Sequence, residues 1–247
     1  MSEPKLAPHP VLTEYYANET ERKQRVNQMF DSSAKHYDWI TGMMSFGSGR
    51  WYRGNALRRH GLKAGMQHLD VGAGTGVISL LGQQMTAPGG YVAALDPSPG
   101  MLEVARQNGV VNTFVGRGEN IPFEDNRFDL LTMGYALRHV EDLRTAFAEY
   151  LRVLKPGARV LLLEITRPAG GVLYPVMKFY LKVIIPFISR LFRSQDAGQL
   201  MSYYWDTIEN CVPPDTILAA LKDAGFTEVK RHVVGGMFSE YSGVKPK

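Results

Sequence analysis

A single cysteine, Cys211, among 247 residues excludes a disulfide framework and a cysteine metal cluster, and such a chain suits a reducing compartment. The six histidines show no ligand spacing, so nothing in the sequence calls for a metal. The opening Met-Ser-Glu-Pro-Lys-Leu-Ala-Pro has no apolar signal region, and the expected location is the cytoplasm. Long apolar runs are also missing. The most apolar region, Gly170 to Phe192, is interrupted by Lys178, Lys182 and Arg190 and contains Pro175 and Pro186, short of the roughly 18 to 20 apolar residues that span a bilayer. The expectation is a soluble or peripheral protein. The net charge of +4 is mild, and no basic run is interleaved with stacking aromatics, so nucleic acid is not expected as a partner. Internal repeats and low-complexity tracts are absent.

The 45% hydrophobic content and the length suffice for one large α/β domain. Residues 1 to about 20 lack periodicity and read as a mobile or loosely packed arm, followed by a single domain over 21–247. Val26, Met29, Phe30, Ala34 and Tyr37 follow helical spacing from Glu21 to Tyr37, and Gly42, Gly47 and Gly49 are expected to break that helix. Trp51 to His60 reads as a short helix. Strands are expected near Met66–Val71, Tyr91–Asp96, Thr113–Gly116, Phe128–Met133 and Arg159–Glu164, alternating with helices at Val77–Met85, Gly100–Gln107 and Leu143–Leu154; that alternation predicts a mostly parallel sheet. Pro156-Gly157 reads as a turn between the last helix and the fifth strand. A helix over Asp215–Ala224 precedes two strand-like runs, Thr227–Val234 and Met237–Ser242, which Gly235-Gly236 joins as a hairpin that closes the sheet's edge.

The sheet's first strand runs into Gly72-Ala73-Gly74-Thr75-Gly76, a turn whose glycines bring backbone and free helix N–H groups against a ligand. The dinucleotide fingerprint would need its third glycine at position 77, where Val77 stands. Asp96 closes the second strand 20 residues beyond Gly76, where a carboxylate can accept from both hydroxyls of a ribose held at the first turn. Asp70 puts a negative charge at the turn, awkward beside a pyrophosphate and favourable beside a cation. S-adenosylmethionine, with its sulfonium and ammonium, meets both conditions.

Leu69-Asp70-Val71-Gly72-Ala73-Gly74-Thr75-Gly76, Ala94-Leu95-Asp96-Pro97-Ser98 with Met101-Leu102, Ile121-Pro122-Phe123 through Phe128-Asp129, and Leu151-Arg152-Val153-Leu154-Lys155-Pro156-Gly157 resemble the successive motifs of class I SAM-dependent methyltransferases. Met29-Phe30-Asp31-Ser32-Ser33-Ala34-Lys35-His36-Tyr37-Asp38, then Met43-Met44-Ser45-Phe46-Gly47 and Trp51, resemble the N-terminal signature of the ubiquinone/menaquinone C-methyltransferases (UbiE/COQ5). The resemblance runs from Val26 to the C-terminus. It implies a Rossmann-like class I methyltransferase fold, a mostly parallel seven-stranded sheet with an antiparallel edge strand, N-terminal helices and a helical lid insertion over 168–208. It implies SAM as methyl donor and a polyprenylated quinol as acceptor. Asp70, Gly72, Ala73, Gly74, Thr75 and Gly76 would then surround the methionine end, Asp96 and Pro97 the ribose, and Met101, Gly118 and Glu119 the adenine, with Tyr37 closing over the cofactor. Arg138 would sit at the acceptor ring, helping to deprotonate or polarise the quinol through water.

Methylating a ring carbon demands electron density that a phenolate supplies better than a phenol. An arginine can stabilise that phenolate, and His139 beside it titrates in the useful range for a base. The family's Leu-Arg-Asn-Val segment is Leu137-Arg138-His139-Val140 here. Its acidic or amide residue before alanine is Arg117-Gly118, which offers the adenine amine no side-chain acceptor, so recognition falls to the backbone or Glu119. In the lid, Lys178, Lys182, Ser189 and Arg193 form one stripe beside a broad apolar face, which suits a membrane surface, a tunnel for a greasy tail, a lid on the core or a homodimer interface. Tyr203, Tyr204 and Trp205 are candidates to stack on an aromatic acceptor. Alternative readings are methylation of a phospholipid amine or phenolic secondary metabolite, another use of SAM, and a non-catalytic SAM-binding assembly protein. Amino-directed nucleic-acid methylation is disfavoured because its Asn/Asp-Pro-Pro-aromatic motif is missing after Met133.

Overall fold

In a computed structural model, residues 5–44, 48–167, 171–185, 187 and 195–247 are described. Seven strands form one sheet: β1 (Gln67–Val71), β2 (Tyr91–Asp96), β3 (Thr113–Val115), β4 (Phe128–Gly134), β5 (Leu154–Ile165), β6 (Thr227–Val234) and β7 (Phe238–Val244), in the order β3-β2-β1-β4-β5-β7-β6. The strands from β3 to β5 pair in parallel. Only β7 is reversed, lying between β5 and the edge strand β6, and the predicted hairpin turns at Gly235-Gly236. The central strands are buried on both faces, as packing between two helical layers requires.

The helices are α1 (Glu19–Met44), α2 (Gly49–Arg59), α3 (Val77–Thr86), α4 (Pro99–Gln107), α5 (Leu143–Val153), α6 (Leu173–Phe179), α7 (Gln195–Glu209) and α8 (Pro214–Asp223); a 3₁₀ turn covers Leu137–His139 and a π-helical segment Tyr180–Ile184. Two starts are explicit in the sequence. Ser98 accepts from Met101 N with Pro99 at the first helical position, and Asp142 accepts from Arg144 N and Thr145 N. Phe128, Leu131, Phe147, Tyr150, Leu162 and Tyr241 belong to the main core, while a second cluster joins Val26 and Met29 of α1 to Leu181, Leu200 and Trp205.

Three expectations are corrected. Gly42 does not break α1, which continues to Met44. Pro156-Gly157 does not precede the fifth strand; β5 starts at Leu154 and runs through the pair, which adjoins an irregularity in its pairing with β4. The N-terminal arm is not loosely packed from Lys5 onward. Leu6 exchanges backbone bonds at the α5 cap, its N–H donating to Asp142 Oδ1 at 2.9 Å and its carbonyl accepting from Leu143 N at 3.0 Å, and Val212 N donates to Pro8 O at 2.8 Å. His9 and Tyr16 are buried. Such partners on α5 and before α8 lie more than a hundred residues away, so no local pattern announces them.

Candidate active site

The sheet order reverses between β1 and β4, so the connections leaving β1 and β2 run away from those leaving β4 and β5 and open a crevice at the strands' carboxyl ends. A cavity lies there, lined by residues of α1, the glycine turn and the ends of β2 and β4. The glycine turn is stitched to the end of β2: Ala73 N donates to Leu95 O at 3.1 Å and Gly74 N to Asp96 Oδ2 at 2.8 Å. Asp96 Oδ1 accepts from Ser98 N at 2.8 Å, so both carboxylate oxygens are aimed by backbone. Burial raises the Asp96 pKa to about 6, against the pull of those two N–H bonds and with a small push from Asp31. Gly74, at φ 54°, faces the cavity, and a Cβ there would meet nothing within 4 Å; this is open space against bare backbone.

The cavity brings together Gly72, Gly74, Asp96, Pro97, Met101, Gly118, Glu119 and His139 of the sequence-predicted residues. Others stand behind it, for identifiable reasons. Asp70 does not line the cavity. It is buried beneath the turn, accepting from Ser79 Oγ at 2.7 Å and Thr132 Oγ1 at 2.9 Å, and burial raises its pKa to about 6. Thr132 in turn contacts His68 Nε2 at 2.8 Å, and burial holds that ring neutral. Thr75 is buried and Ala73 packs against the Ala105–Val110 cluster. Gly76 serves packing: a Cβ there would come within 2.4 Å of Val110. Tyr37 lies on α1, but its side chain falls outside the described residues.

The expected catalytic pair separates. Arg138 is 0% exposed and does not reach the cavity. Its Nε donates to Glu164 Oε2 at 2.9 Å, Nη1 to Tyr204 O at 3.1 Å and Thr207 Oγ1 at 2.9 Å, and Nη2 to Tyr135 O at 3.3 Å. Burial alone would lower its pKa, but the Glu164 charge overrides that and holds it fully ionised. Glu164 also accepts from Leu137 N at 2.9 Å, so the pair fixes the 3₁₀ turn that presents His139. His139 does line the cavity. Burial, then the Arg138 charge with smaller contributions from His9 and Arg22, push its pKa well below the usual imidazole range, and neither ring nitrogen has a hydrogen-bond partner.

Tyr203, Tyr204 and Trp205 are buried and do not line the cavity. Their place on α7 makes them the wall behind it. Tyr203 stacks on the far side of His139 with centroids 5.7 Å apart, Arg138 Cζ lies 4.4 Å over the Tyr204 ring, and Trp205 Nε1 donates to Glu209 at 3.1 Å. Consecutive helical residues point in different directions, which prevents all three from sharing one ligand face.

Several cavity residues were not anticipated. Phe30 meets His139 edge-on at 5.1 Å, and Tyr135 holds a left-handed backbone at φ 61°, an unusual conformation for a bulky side chain. Asp31 accepts from Ser98 Oγ at 2.5 Å and Gly100 N at 3.1 Å, tying α1 to the loop that carries Asp96. Asp31 stands inside the N-terminal signature, the signal that pointed to it. Among the described residues no group of three or more His, Cys, Asp or Glu could hold a metal ion.

Residues 18–245 match the ubiE/COQ5 methyltransferase family. The chain is 32% identical to the ubiquinone/menaquinone biosynthesis C-methyltransferase UbiE of Saccharophagus degradans, covering 92% of this chain and 93% of that one. It is 31% identical to a demethylmenaquinone methyltransferase of Staphylococcus aureus, covering 94% and 97%. A solved SAM-dependent methyltransferase from Aquifex aeolicus shares the fold, with TM-score 0.61 at 21% identity, covering 87% of this chain and 98% of that one. A carboxylate at the end of β2, bare glycine backbone on the cavity and a match over nearly the whole chain agree: this protein belongs to the ubiE/COQ5 methyltransferase family and is a SAM-dependent methyltransferase.

Proposed function

We propose that the protein C-methylates a hydrophobic quinol, as the names of its relatives indicate for theirs. The observation that carries the reading is that one cavity is lined both by Asp96 with the glycine backbone and by Val26, Phe30, Met133 and a neutral His139.

Asp96 accepts from the ribose hydroxyls through the lone pairs that Gly74 and Ser98 leave over. Met101 and Gly118 flank the adenine. Glu119, whose Oε1 accepts from Glu141 N at 2.6 Å, is the side-chain acceptor nearest to replacing the carboxylate or amide that Arg117 lacks, since Arg117 is itself paired with Glu141 at 2.8 Å. Gly72 and Gly74 give the methionine end its backbone contacts. Bound SAM supplies an electrophilic methyl group on a sulfonium.

The chain's own work is at the acceptor. Val26, Phe30, Met133, Tyr135 and Val140 exclude water from the ring. His139 Nδ1 or Nε2 accepts the proton of a ring hydroxyl, raising the electron density on the ring carbon that takes the methyl group; that carbon then gives its own proton to water and His139 returns its proton to the ring oxygen, which restores the aromatic quinol. Arg138 acts as a positioning residue, because its charge is already matched by Glu164. A greasy tail would leave toward the lid, where Val172, Val176, Phe179, Val183 and Phe187 are exposed at helical spacing, Val172 by 78% and Phe187 by 65%, and this stripe is the surface for peripheral contact with a bilayer.

His139→Ala tests the acceptor chemistry. Turnover of a short-tailed quinol is expected to fall about 10²–10⁴-fold with SAM affinity unchanged. Turnover within a factor of two of the parent would remove His139 from the reaction.

A further inference from the structure

Between Asp38 and Asp70 the sequence has Arg50, Arg53, Arg58, Arg59 and Lys63 and no aspartate or glutamate, five cations against a net charge of +4 for the whole chain. All but Lys63 lie on α2. The inner side of that helix is fixed. Tyr52, Ala56 and Leu57 are buried in one cluster with Ile78, Leu130 and Leu163, and His60 Nε2, just past the helix end, meets Glu240 of β7 at 3.2 Å beside the Arg59–Glu240 pair. The outer side faces solvent. Trp51 is 71% exposed, and Trp51, Asn55 and Arg58 follow one another at helical spacing, with Arg58 Nη1 donating to Asn55 Oδ1 at 3.0 Å. Arg50, Arg58 and Lys63 are exposed. No ion pair among the described residues includes Arg50, Arg53, Arg58 or Lys63.

We propose that this outer face, Trp51 with Arg50, Arg58 and Lys63, docks on an anionic lipid surface. The cations match the negative potential of such a surface, and an indole, apolar with one N–H donor, settles at the headgroup level. Nucleic acid fits less well, because one tryptophan makes no platform for successive bases. The place in the fold agrees. The cluster beneath α2 and the one beneath the lid both pack on Ile165 at the end of β5, so the two elements are neighbours, and Arg53 Cζ lies 4.7 Å over the ring of Tyr135, which lines the cavity. The proposal rests on the lipid-tailed acceptor read above for its use in the reaction. Charge on α2 and apolar side chains on the lid then act together, where one weak contact alone holds a protein at a bilayer only marginally.

Partition is measured by titrating lipid into the full chain, with vesicles of phosphatidylcholine alone and of phosphatidylcholine with an equal part of phosphatidylglycerol. The parent is expected to prefer the anionic vesicles and to lose that preference between about 0.1 M and about 1 M salt, as the screening length falls from about 10 Å to about 3 Å. Arg50→Gln combined with Arg58→Gln and Lys63→Gln weakens partition into anionic vesicles by about 30- to 150-fold, at about fivefold per cation, and into neutral ones by less than about twofold. Trp51→Ser weakens both by about 3- to 10-fold. Unchanged S-adenosylhomocysteine affinity in each variant reports that the fold is intact. Equal partition of the parent into both vesicles, or anionic binding that survives the triple change, overturns the role of α2. Should Phe179→Ser with Phe187→Ser still release the protein in that case, the lid stripe stands without α2. A short DNA duplex that displaces the vesicles, and loses its own affinity in the triple variant, overturns the lipid assignment. Charge-dependent partition by a protein that methylates no quinol leaves the α2 surface standing and removes the acceptor reading.

Discussion

Replacing Arg138 by methionine separates a positioning role from a chemical one, and the structure gives the size of the effect. The substitution keeps much of the side-chain volume but removes the bonds to Glu164, Tyr204, Thr207 and Tyr135 and the contact over the Tyr204 ring. Glu164, 2% exposed, then keeps its bond from Leu137 N but no counter-charge. Breaking a buried pair from one side costs about 3–5 kcal/mol. For a chain of this size that corresponds to about 6–20 °C in Tm, at about 2–4 °C per kcal/mol. The loss depends on pH with a definite sign. Burial raises the Glu164 pKa even beside Arg138, and without that charge only the backbone bonds from Leu137 and Ile165 oppose it, so the folded pKa lies above the unfolded one. A group so raised favours folding below its unfolded pKa and loses that contribution as pH rises through the folded value. The Arg138→Met protein is therefore expected to be closer to the parent at pH 5 than at pH 8, by thermal denaturation at both. A Tm shift under about 2 °C together with abolished turnover would refute the reasoning and return Arg138 to the chemistry.

SAM affinity should fall as pH drops through about 6, where the buried Asp96 takes up a proton and one oxygen ceases to be an acceptor for ribose; calorimetry across pH 5 to 8 checks this, and a flat profile contradicts it. Phe179→Ser with Phe187→Ser, both on the exposed stripe, should release the protein from sedimenting anionic vesicles while turnover of a short-tailed acceptor stays within twofold; unchanged sedimentation would remove the stripe as a bilayer contact.

The strand-turn-helix pattern was legible because its signals are local: period, glycine turn, the Ser98 and Asp142 caps, and a carboxylate at a fixed distance along a βαβ unit. The cofactor end of the site followed from these. Asp70 was misplaced because its partners, Ser79 and Thr132, lie on α3 and β4, and a sequence does not say whether a strand-end carboxylate faces the ligand or the core. Arg138 was misplaced in the same way, since its charge is matched by Glu164 on β5, 26 residues on. The packing of Leu6, Pro8 and His9 went unread because the N-terminal segment has no periodicity, and its order comes from the Leu6 and Pro8 backbone bonds rather than an amphipathic face.

The central claim is methyl transfer to a ring carbon of a quinol, and the measurement that reaches it most directly is the position of the label after incubation with methyl-labelled SAM and a short-tailed quinol. The account predicts one labelled methyl group bonded to a ring carbon, resolved by carbon NMR and mass spectrometry. Label on oxygen or nitrogen, or no transfer from a protein that binds SAM, would contradict it.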